Sequence, residues 1–227
     1  MPDQANFPLI MDALWIIVAA LILLGALLYW EKRGELKGLL PTKTALSLLF
    51  IVAALLQPHP KPDYYQFVLT ALAFCLVGDV CLAFTRKRLF LAGLIAFLVG
   101  HIFYIVAFAQ VGRLNLLTGV GALVIFPVSG TIFLWLRPYL ESMQAPVLIY
   151  IIVISLMLAG AWAVLFSPEL NAGGRILCFS GALAFYCSDV FVARDRFLKQ
   201  QFLNRLVGLP LYYTGQFFLA FSVGLLR

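Results

Sequence analysis

Charged residues are scarce in this chain. Only 11% of its 227 residues are Asp, Glu, Lys or Arg, whereas 63% are hydrophobic and the mean hydropathy is +1.01. A soluble domain is about a quarter charged and about half apolar. The composition therefore excludes an ordinary soluble domain and indicates an integral membrane protein. The net charge of +6 does not indicate nucleic-acid binding, because the basic residues lie in short connections, where they set membrane topology.

The sequence lacks the residues that several kinds of functional site require. The two histidines, His59 and His101, cannot supply a three-histidine zinc site. The four cysteines show no CxxC or Cys/His spacing, and there is no GxSxG, P-loop or strand–helix GxGxxG motif. A Ser-His-Asp arrangement of His101 with Ser47, Ser155 or Ser180 stays open, although no spacing favours it. We expect neither a metal nor an organic cofactor.

Long apolar stretches make up most of the chain. A helix needs about 20 apolar residues to cross a bilayer, and eight stretches reach or approach that length: 9–30, 42–57, 64–84, 89–110, 116–136, 146–166, 175–193 and 206–226. The second stretch is short, and its helix could begin earlier, at Leu39. Backbone groups in hydrocarbon must be satisfied within the segment. We therefore predict an all-α polytopic bundle of eight transmembrane helices, forming a single integral membrane domain over residues 1–227.

The distribution of basic residues predicts how the bundle is oriented. Of the 16 Lys and Arg residues, 12 lie in the odd-numbered connections, and 4 lie elsewhere: Lys61, Arg113, Arg175 and Arg227. Basic loops stay in the cytoplasm, so both termini are predicted on the other side of the membrane, which would be the inner membrane in a bacterium. No basic residue precedes Lys32, so we expect the first stretch to be a retained helix rather than a cleaved signal.

Two aspartates stand inside these spans, Asp79 within Gly78-Asp79-Val80 and Asp189 within Ser188-Asp189-Val190. Asp12, near the start of the first span, is the one other acid in them. Carboxylates within a membrane usually face a bundle interior or a wet cavity and have a function there. In the predicted topology both lie about 6–8 Å from the cytoplasmic ends of parallel helices. They could share one site if helices 3 and 7 are neighbours.

The two aspartate segments also predict an internal repeat. Gly78-Asp79-Val80-x-x-Ala83-x-x-Arg86 aligns with Ser188-Asp189-Val190-x-x-Ala193-x-x-Arg196, and Gly100-His101-x-Phe103 aligns with Gly215-Gln216-x-Phe218. This pairing matches helix 3 with helix 7 and helix 4 with helix 8, as a parallel four-plus-four duplication would. Parallel repeats place a shared site at their interface.

Six further polar side chains project from the spans and are candidates to support or bind substrate: Lys43, His101, Tyr104, Tyr150, Tyr212 and Gln216. Each also has an interpretation without function. Lys43 could snorkel to the surface, and tyrosines near helix ends commonly anchor a protein at the interface. His101 and Gln216 could bond neighbouring helices. The aspartates could be a structural pair, bonded to a lysine or to backbone.

A pair of carboxylates in a membrane pocket predicts acid–base chemistry. Two close carboxylates cannot both ionise cheaply, so one is expected to act as an acid and the other as a base. Such a pair can activate water and protonate a leaving group. The membrane setting implies a lipid or a transmembrane peptide as substrate.

Four motifs follow one another in a fixed order along the chain. They are Gly78-Asp79-Val80-Cys81-Leu82-Ala83-Phe84, Phe90-x-x-Gly93-x-x-x-Phe97-x-x-x-His101-x-x-Tyr104, Gly181-Ala182-x-x-Phe185-x-x-Ser188-Asp189-x-x-Val192-Ala193 and Tyr212-Tyr213-x-x-Gln216. Together they resemble the YhhN family of bacterial and animal eight-helix membrane proteins, whose characterised animal members are lysoplasmalogenases. The family's Lys-Pro element before helix 2 is present in altered form, as Leu40-Pro41-Thr42-Lys43, and the resemblance runs from about Lys43 onward.

The resemblance implies hydrolysis of the vinyl ether bond of a lysoplasmalogen, giving a fatty aldehyde and a glycerophospho-alcohol. One of Asp79 and Asp189 would supply a proton, and the other would stabilise the cation and activate water. The partners would be a lysophospholipid and membrane lipids, with Lys43 or Arg86 meeting the phosphate. A proton-coupled or small-molecule transporter, an intramembrane aspartyl protease, and action on another ether or lysophospholipid remain as alternatives. Leu76 departs from the Gly-x-Gly-Asp pattern of such proteases.

Overall fold

A computed structural model describes residues 7–227, and their side chains from Ala13 onward, so the side chain of Asp12 lies outside the described residues. Over this range the backbone forms eight helices and no strand, which confirms the predicted fold class. All eight are long and apolar enough to span a membrane. They are α1 (Phe7–Arg33), α2 (Leu36–Leu55), α3 (Pro62–Leu82), α4 (Lys87–Val111), α5 (Leu116–Leu136), α6 (Gln144–Leu165), α7 (Ala172–Ala193) and α8 (Phe202–Leu225).

Two of the predicted boundaries were wrong. Helix α2 begins at Leu36 rather than at 39 or 42, and it runs through Pro41, which has no N–H and so leaves one backbone hydrogen bond of the helix unmade. The predicted connection from Arg194 to Arg205 is largely helical. Helix α7 continues into a π-helical segment, Arg194–Leu198, and α8 already begins at Phe202.

Helix α8 is the central element of the bundle. It packs most extensively on α7 and also contacts α1, α2 and α3, while α3 packs closely on α4. Within the described residues, α3 and α7 do not pack closely against each other, and α8 contacts both. The two aspartate-bearing helices are therefore joined through α8 rather than being direct neighbours.

Small and hydroxyl residues bring the other helices together. Ser155 on α6 donates a hydrogen bond to Ser129 on α5 (2.7 Å), and Ser129 is bonded to the Tyr186 hydroxyl on α7 (2.7 Å). Such polar contacts hold helices together where lipid removes the hydrophobic drive for association. The close packing of α3 on α4 and of α7 on α8 is compatible with the four-plus-four repeat, which stays a prediction.

Gly181 on α7 and Gly215 on α8 mark a close approach of these two helices. A Cβ atom on Gly215 would lie 2.8 Å from the Gly181 carbonyl oxygen, and one on Gly181 would lie 2.9 Å from the Gly215 carbonyl oxygen. Any larger residue would therefore force the helices apart.

We predict that Gly215→Val destabilises the protein by overpacking this contact. Overpacking costs about 1–3 kcal/mol. Since 1 kcal/mol shifts the Tm of a chain of this size by about 2–4 °C, the expected fall in Tm is roughly 2–12 °C. Thermal unfolding in detergent measures it. Gly130→Val on α5 is the control, because a Cβ there would meet nothing within 4 Å. Equal shifts in the two variants would contradict the prediction.

Candidate active site

Asp79 lies near the end of α3 and is surrounded by donors from two other helices. Its Oδ1 lies 3.3 Å from Lys43 Nζ on α2. Its Oδ2 accepts hydrogen bonds from Ser47 Oγ on α2 (2.7 Å) and from the Tyr212 hydroxyl on α8 (2.6 Å). The side chains of Lys43 and Asp79 are 4% and 2% exposed. Three donors, one of them a cation, form the surroundings expected of a buried carboxylate.

The sequence places two of these donors on one helix face. Lys43 and Ser47 are four residues apart on α2 and so point to the same side. Ser47 is also within 3.3 Å of the Tyr213 hydroxyl, while Tyr212 reaches Asp79 itself. Lys43 does not snorkel to the surface here, since it is buried in the ion pair.

Asp189, near the end of α7, has a different set of partners. Its Oδ2 accepts a hydrogen bond from the Tyr150 hydroxyl on α6 (2.7 Å) and lies 3.9 Å from His101 Nε2 on α4. The imidazole is fully buried, and neither of its ring nitrogens has a hydrogen-bond partner among the described residues. The Asp189 side chain is 18% exposed, and its Oδ1 accepts no hydrogen bond from the part of the chain that the structure describes. It is the more open of the two carboxyls.

The two aspartates line a single cavity of about 110 Å³. Its walls come from the same end of α2 to α8 and are mostly apolar, with Leu94, Ile132, Ile151 and Leu209 among the residues that form them. A chain of aromatic contacts passes between the two carboxyls: the Phe185 ring lies 5.2 Å from that of Tyr212 and 4.6 Å from that of His101. Over residues 13–227 no hydrogen bond joins Asp79 directly to Asp189.

The predicted site residues therefore fall into three groups. Lys43 and Tyr212 bind Asp79, while Tyr150 and His101 lie against Asp189. Tyr104 and Gln216 form a separate buried pair, in which the Tyr104 hydroxyl donates to Gln216 Oε1 at 2.7 Å. That pair is not part of the described cavity wall.

The structure also brings in residues that the sequence had not assigned to the site. Ser47 bonds Asp79 rather than His101, and Ser155 bonds Ser129, so neither forms a serine–histidine pair in the described structure. The i to i+4 spacing from Lys43 was the signal that could have identified Ser47. Asp195, Arg196 and Arg205 line the cavity as well. Arg196 is exposed, so the part of the cavity beside it, where α7 passes into the π-helical segment, is called its mouth.

We predict that breaking the Lys43–Asp79 pair on one side alone is strongly destabilising. A buried charge without its partner costs about 3–5 kcal/mol, so Asp79→Asn and Lys43→Met should each lower the thermal midpoint markedly. The double variant removes both charges and should recover part of the loss. A double-mutant cycle by thermal unfolding measures the coupling.

The exposed pair Arg113–Glu169 is the matched control for that cycle. Its N–O distance is 2.8 Å, but the arginine side chain is 74% exposed, and surface pairs contribute about 0–1 kcal/mol. Additive losses at Lys43 and Asp79, with no recovery in the double variant, would show that the two side chains are not coupled.

Comparison with known proteins places this site within a family. The family model described as "YhhN family" matches residues 38–223, a range that contains both aspartates and all their partners. No solved structure matches the chain.

The chain is also similar to three curated proteins named lysoplasmalogenase. The human protein "Lysoplasmalogenase TMEM86A" is 32% identical over 190 residues, covering 77% of this chain and 72% of its own length. The human "Lysoplasmalogenase TMEM86B" is 28% identical over 193 residues, covering 85% and 79%. The bovine "Lysoplasmalogenase TMEM86A" is 28% identical over 182 residues, covering 77% and 72%. With a family model matching most of its length and eight helices fit to span a membrane, this multi-pass membrane protein belongs to the YhhN family.

Proposed function

We propose that this protein is a lysoplasmalogenase, which hydrolyses the vinyl ether bond of a lysoplasmalogen to a fatty aldehyde and a glycerophospho-alcohol. The observation that carries the proposal is that two carboxyls from different helices line one apolar cavity. Relatives at 28–32% identity are named for this activity. An apolar cavity suits the hydrocarbon part of such a lipid, and the carboxyls suit its acid-labile bond.

The surroundings of the two aspartates suggest different roles for them. Asp79 is paired with a cation and accepts two hydroxyl donors, so it stays a carboxylate in the proposed reaction. Asp189 has one hydroxyl donor, on Oδ2, and is the more exposed to the cavity. We therefore assign the transferred proton to its Oδ1, which makes Asp189 the proposed general acid.

The proposed reaction starts with proton transfer to carbon. The proton of Asp189 adds to the β carbon of the vinyl ether, and the C=C electron pair forms the new C–H bond. This leaves an oxocarbenium ion at the α carbon and a carboxylate at Asp189. Water then attacks the α carbon and gives its proton to Asp189, which restores the acid. The resulting hemiacetal breaks its C–O bond as its hydroxyl proton passes to the departing alkoxide, with Asp189 able to mediate that exchange.

The remaining polar groups support these steps. Tyr150 holds Asp189 in place and stabilises its carboxylate after proton transfer, since a hydroxyl donor favours the charged form. His101 Nε2 lies 3.9 Å from Asp189 Oδ2, which is too far for a direct hydrogen bond, and the imidazole is not part of the described cavity wall. A water that bridges these two atoms is the proposed nucleophile. The negative charge of Asp79, moderated by Lys43, faces the same cavity as the developing cation.

The first test is aldehyde release by the purified protein from a lysoplasmalogen, with a saturated ether lysolipid as the substrate control. We predict that Asp189→Asn lowers kcat by about 10²–10⁴-fold, the usual contribution of a general acid, and that Asp79→Asn also impairs hydrolysis. Asp63→Asn, at the exposed start of α3, should keep full activity. Absence of aldehyde from any vinyl ether would refute the proposed function. Full activity in Asp189→Asn would refute only the assignment of the acid.

The role of Tyr150 gives a finer prediction. Hydrogen bonds to charged groups contribute about 1.5–3 kcal/mol, so Tyr150→Phe should lower kcat by roughly 10–100-fold with little change in KM. Steady-state kinetics measures both constants. Tyr139→Phe is the control, because Tyr139 is 53% exposed and lies outside the described cavity wall. A rise in KM at unchanged kcat would assign Tyr150 to substrate binding instead.

A further inference from the structure

Two ion pairs account for four of the six charged side chains in the cavity wall, and one cation and one acid remain outside these pairs. Its wall contains three basic side chains (Lys43, Arg196, Arg205) and three acidic ones (Asp79, Asp189, Asp195). Lys43 pairs with Asp79, and Arg205 Nη2 lies 2.9 Å from Asp195 Oδ2. Among the described residues, Arg196 has no carboxylate partner, and Asp189 has only the imidazole of His101. The cavity thus has an unneutralised cation at its mouth and a carboxyl inside.

Arg196 is held in place without being neutralised. Its guanidinium lies over the Phe90 ring of α4, 4.2 Å from the ring centroid. A cation–π contact orients an arginine and leaves its N–H donors free at the edge of the guanidinium plane. The residue is exposed and also borders the cavity. A planar fork of donors in such a setting suits a phosphate group.

The π-helical segment that carries Arg196 is fixed by its neighbour Asp195. This carboxylate is buried, and its Oδ1 accepts from the Asn204 side chain (3.1 Å) and from the Gln201 backbone N–H (3.2 Å). Arg205 binds its other oxygen and approaches Glu31 on α1 at 3.9 Å. π-helical turns are rare and frequently occur at functional sites. In this turn the side chain of Asp195 is buried, whereas the next residue, Arg196, is exposed at the cavity mouth.

The separation of Arg196 from Asp189 matches the proposed substrate. Seven residues along a helix correspond to roughly 10 Å. In a lysoplasmalogen, seven bonds separate the β carbon of the vinyl ether from the phosphorus. An extended chain advances about 1.2 Å per bond, or about 8 Å in total, and the arginine side chain supplies the rest. With these lengths, a phosphate bound at Arg196 would bring the β carbon within reach of Asp189.

We propose that Arg196 binds the phosphodiester group of the lysophospholipid and so sets the depth at which the vinyl ether meets Asp189. This rests on the proposed function for the identity of the substrate. Arg205 is a positioning residue, since it acts through Asp195. Lys43 and Arg86, the two residues expected from sequence to meet the phosphate, are placed differently: Lys43 is buried against Asp79, and Arg86 is exposed and outside the described cavity wall.

The test separates phosphate binding from catalysis. Purified protein in a maltoside detergent, which brings no phosphate, is titrated with a saturated 1-O-alkyl-glycerophosphoethanolamine and with the phosphate-free 1-O-alkylglycerol. We expect the phosphate-bearing lipid to bind at least about 10-fold more tightly, the usual worth of a charge-assisted hydrogen bond. Arg196→Gln should abolish that difference, and Arg196→Lys should restore part of it. Arg86→Gln, the counterpart position in the aligned segments, should behave as the wild type does.

Kinetics gives the second readout. For a lysoplasmalogen, Arg196→Gln should raise KM about 10-fold or more, whereas for a 1-O-alkenylglycerol it should change nothing. Inorganic phosphate that weakens binding of the phospholipid in the wild type, but not in Arg196→Gln, would support a phosphate site open to free anions. A wild type that does not distinguish the two lipids, or an Arg196→Gln variant that still does, would overturn the inference. Preferential binding without aldehyde release would refute the proposed function while supporting the phosphate site.

Discussion

Asp79 is a buried carboxylate that needs hydrogen-bond donors, and this need determines how the helices pack at one end of the bundle. Asp79 sits in a helix that crosses the membrane, where an unpaired charge is costly. Its donors come from α2 and α8, so satisfying one carboxylate ties three helices together at a fixed depth. Because α8 also packs along α7, the position of Asp79 relative to Asp189 is set by the same contacts.

The two aspartates illustrate how one residue type can serve two purposes. Asp79 is almost fully enclosed by a lysine, a serine and a tyrosine, whereas Asp189 keeps one oxygen without a hydrogen bond from the described residues. A carboxylate held by three donors, one of them a cation, is a poor proton donor. A carboxyl in the cavity wall with one oxygen free of hydrogen bonds from the described residues is a better candidate. The division of roles that we propose follows from this difference in partners.

Composition and helical spacing predicted the eight spans and the two aspartates, because both are local properties of the sequence. Spacing also identified Lys43, Tyr150 and Tyr212 as polar side chains within the spans that could support the site. It could not supply partners, since whether Tyr212 meets Asp79 or the lipid depends on how α8 packs. Tyr104 and Gln216 show the same limit: both project inward as expected, but they bond each other rather than border the cavity. The π-helical segment was missed because a run of charged residues is typical of a loop.

The π-helical segment is also where the structures of the two aligned motifs differ. Arg86 and Arg196 occupy the same position after Asp79 and Asp189 in the sequence, seven residues on. Helix α3 ends at Leu82, and Arg86 directly precedes α4, whereas α7 continues as a π-helix through Arg196. Because α7 continues, Arg196 stays on the same helical segment as Asp189. Because α3 ends, Arg86 lies at the start of the next helix rather than on the helix of Asp79. In the proposed mechanism only one aspartate needs an anchor for the substrate phosphate, and it is the one whose helix continues.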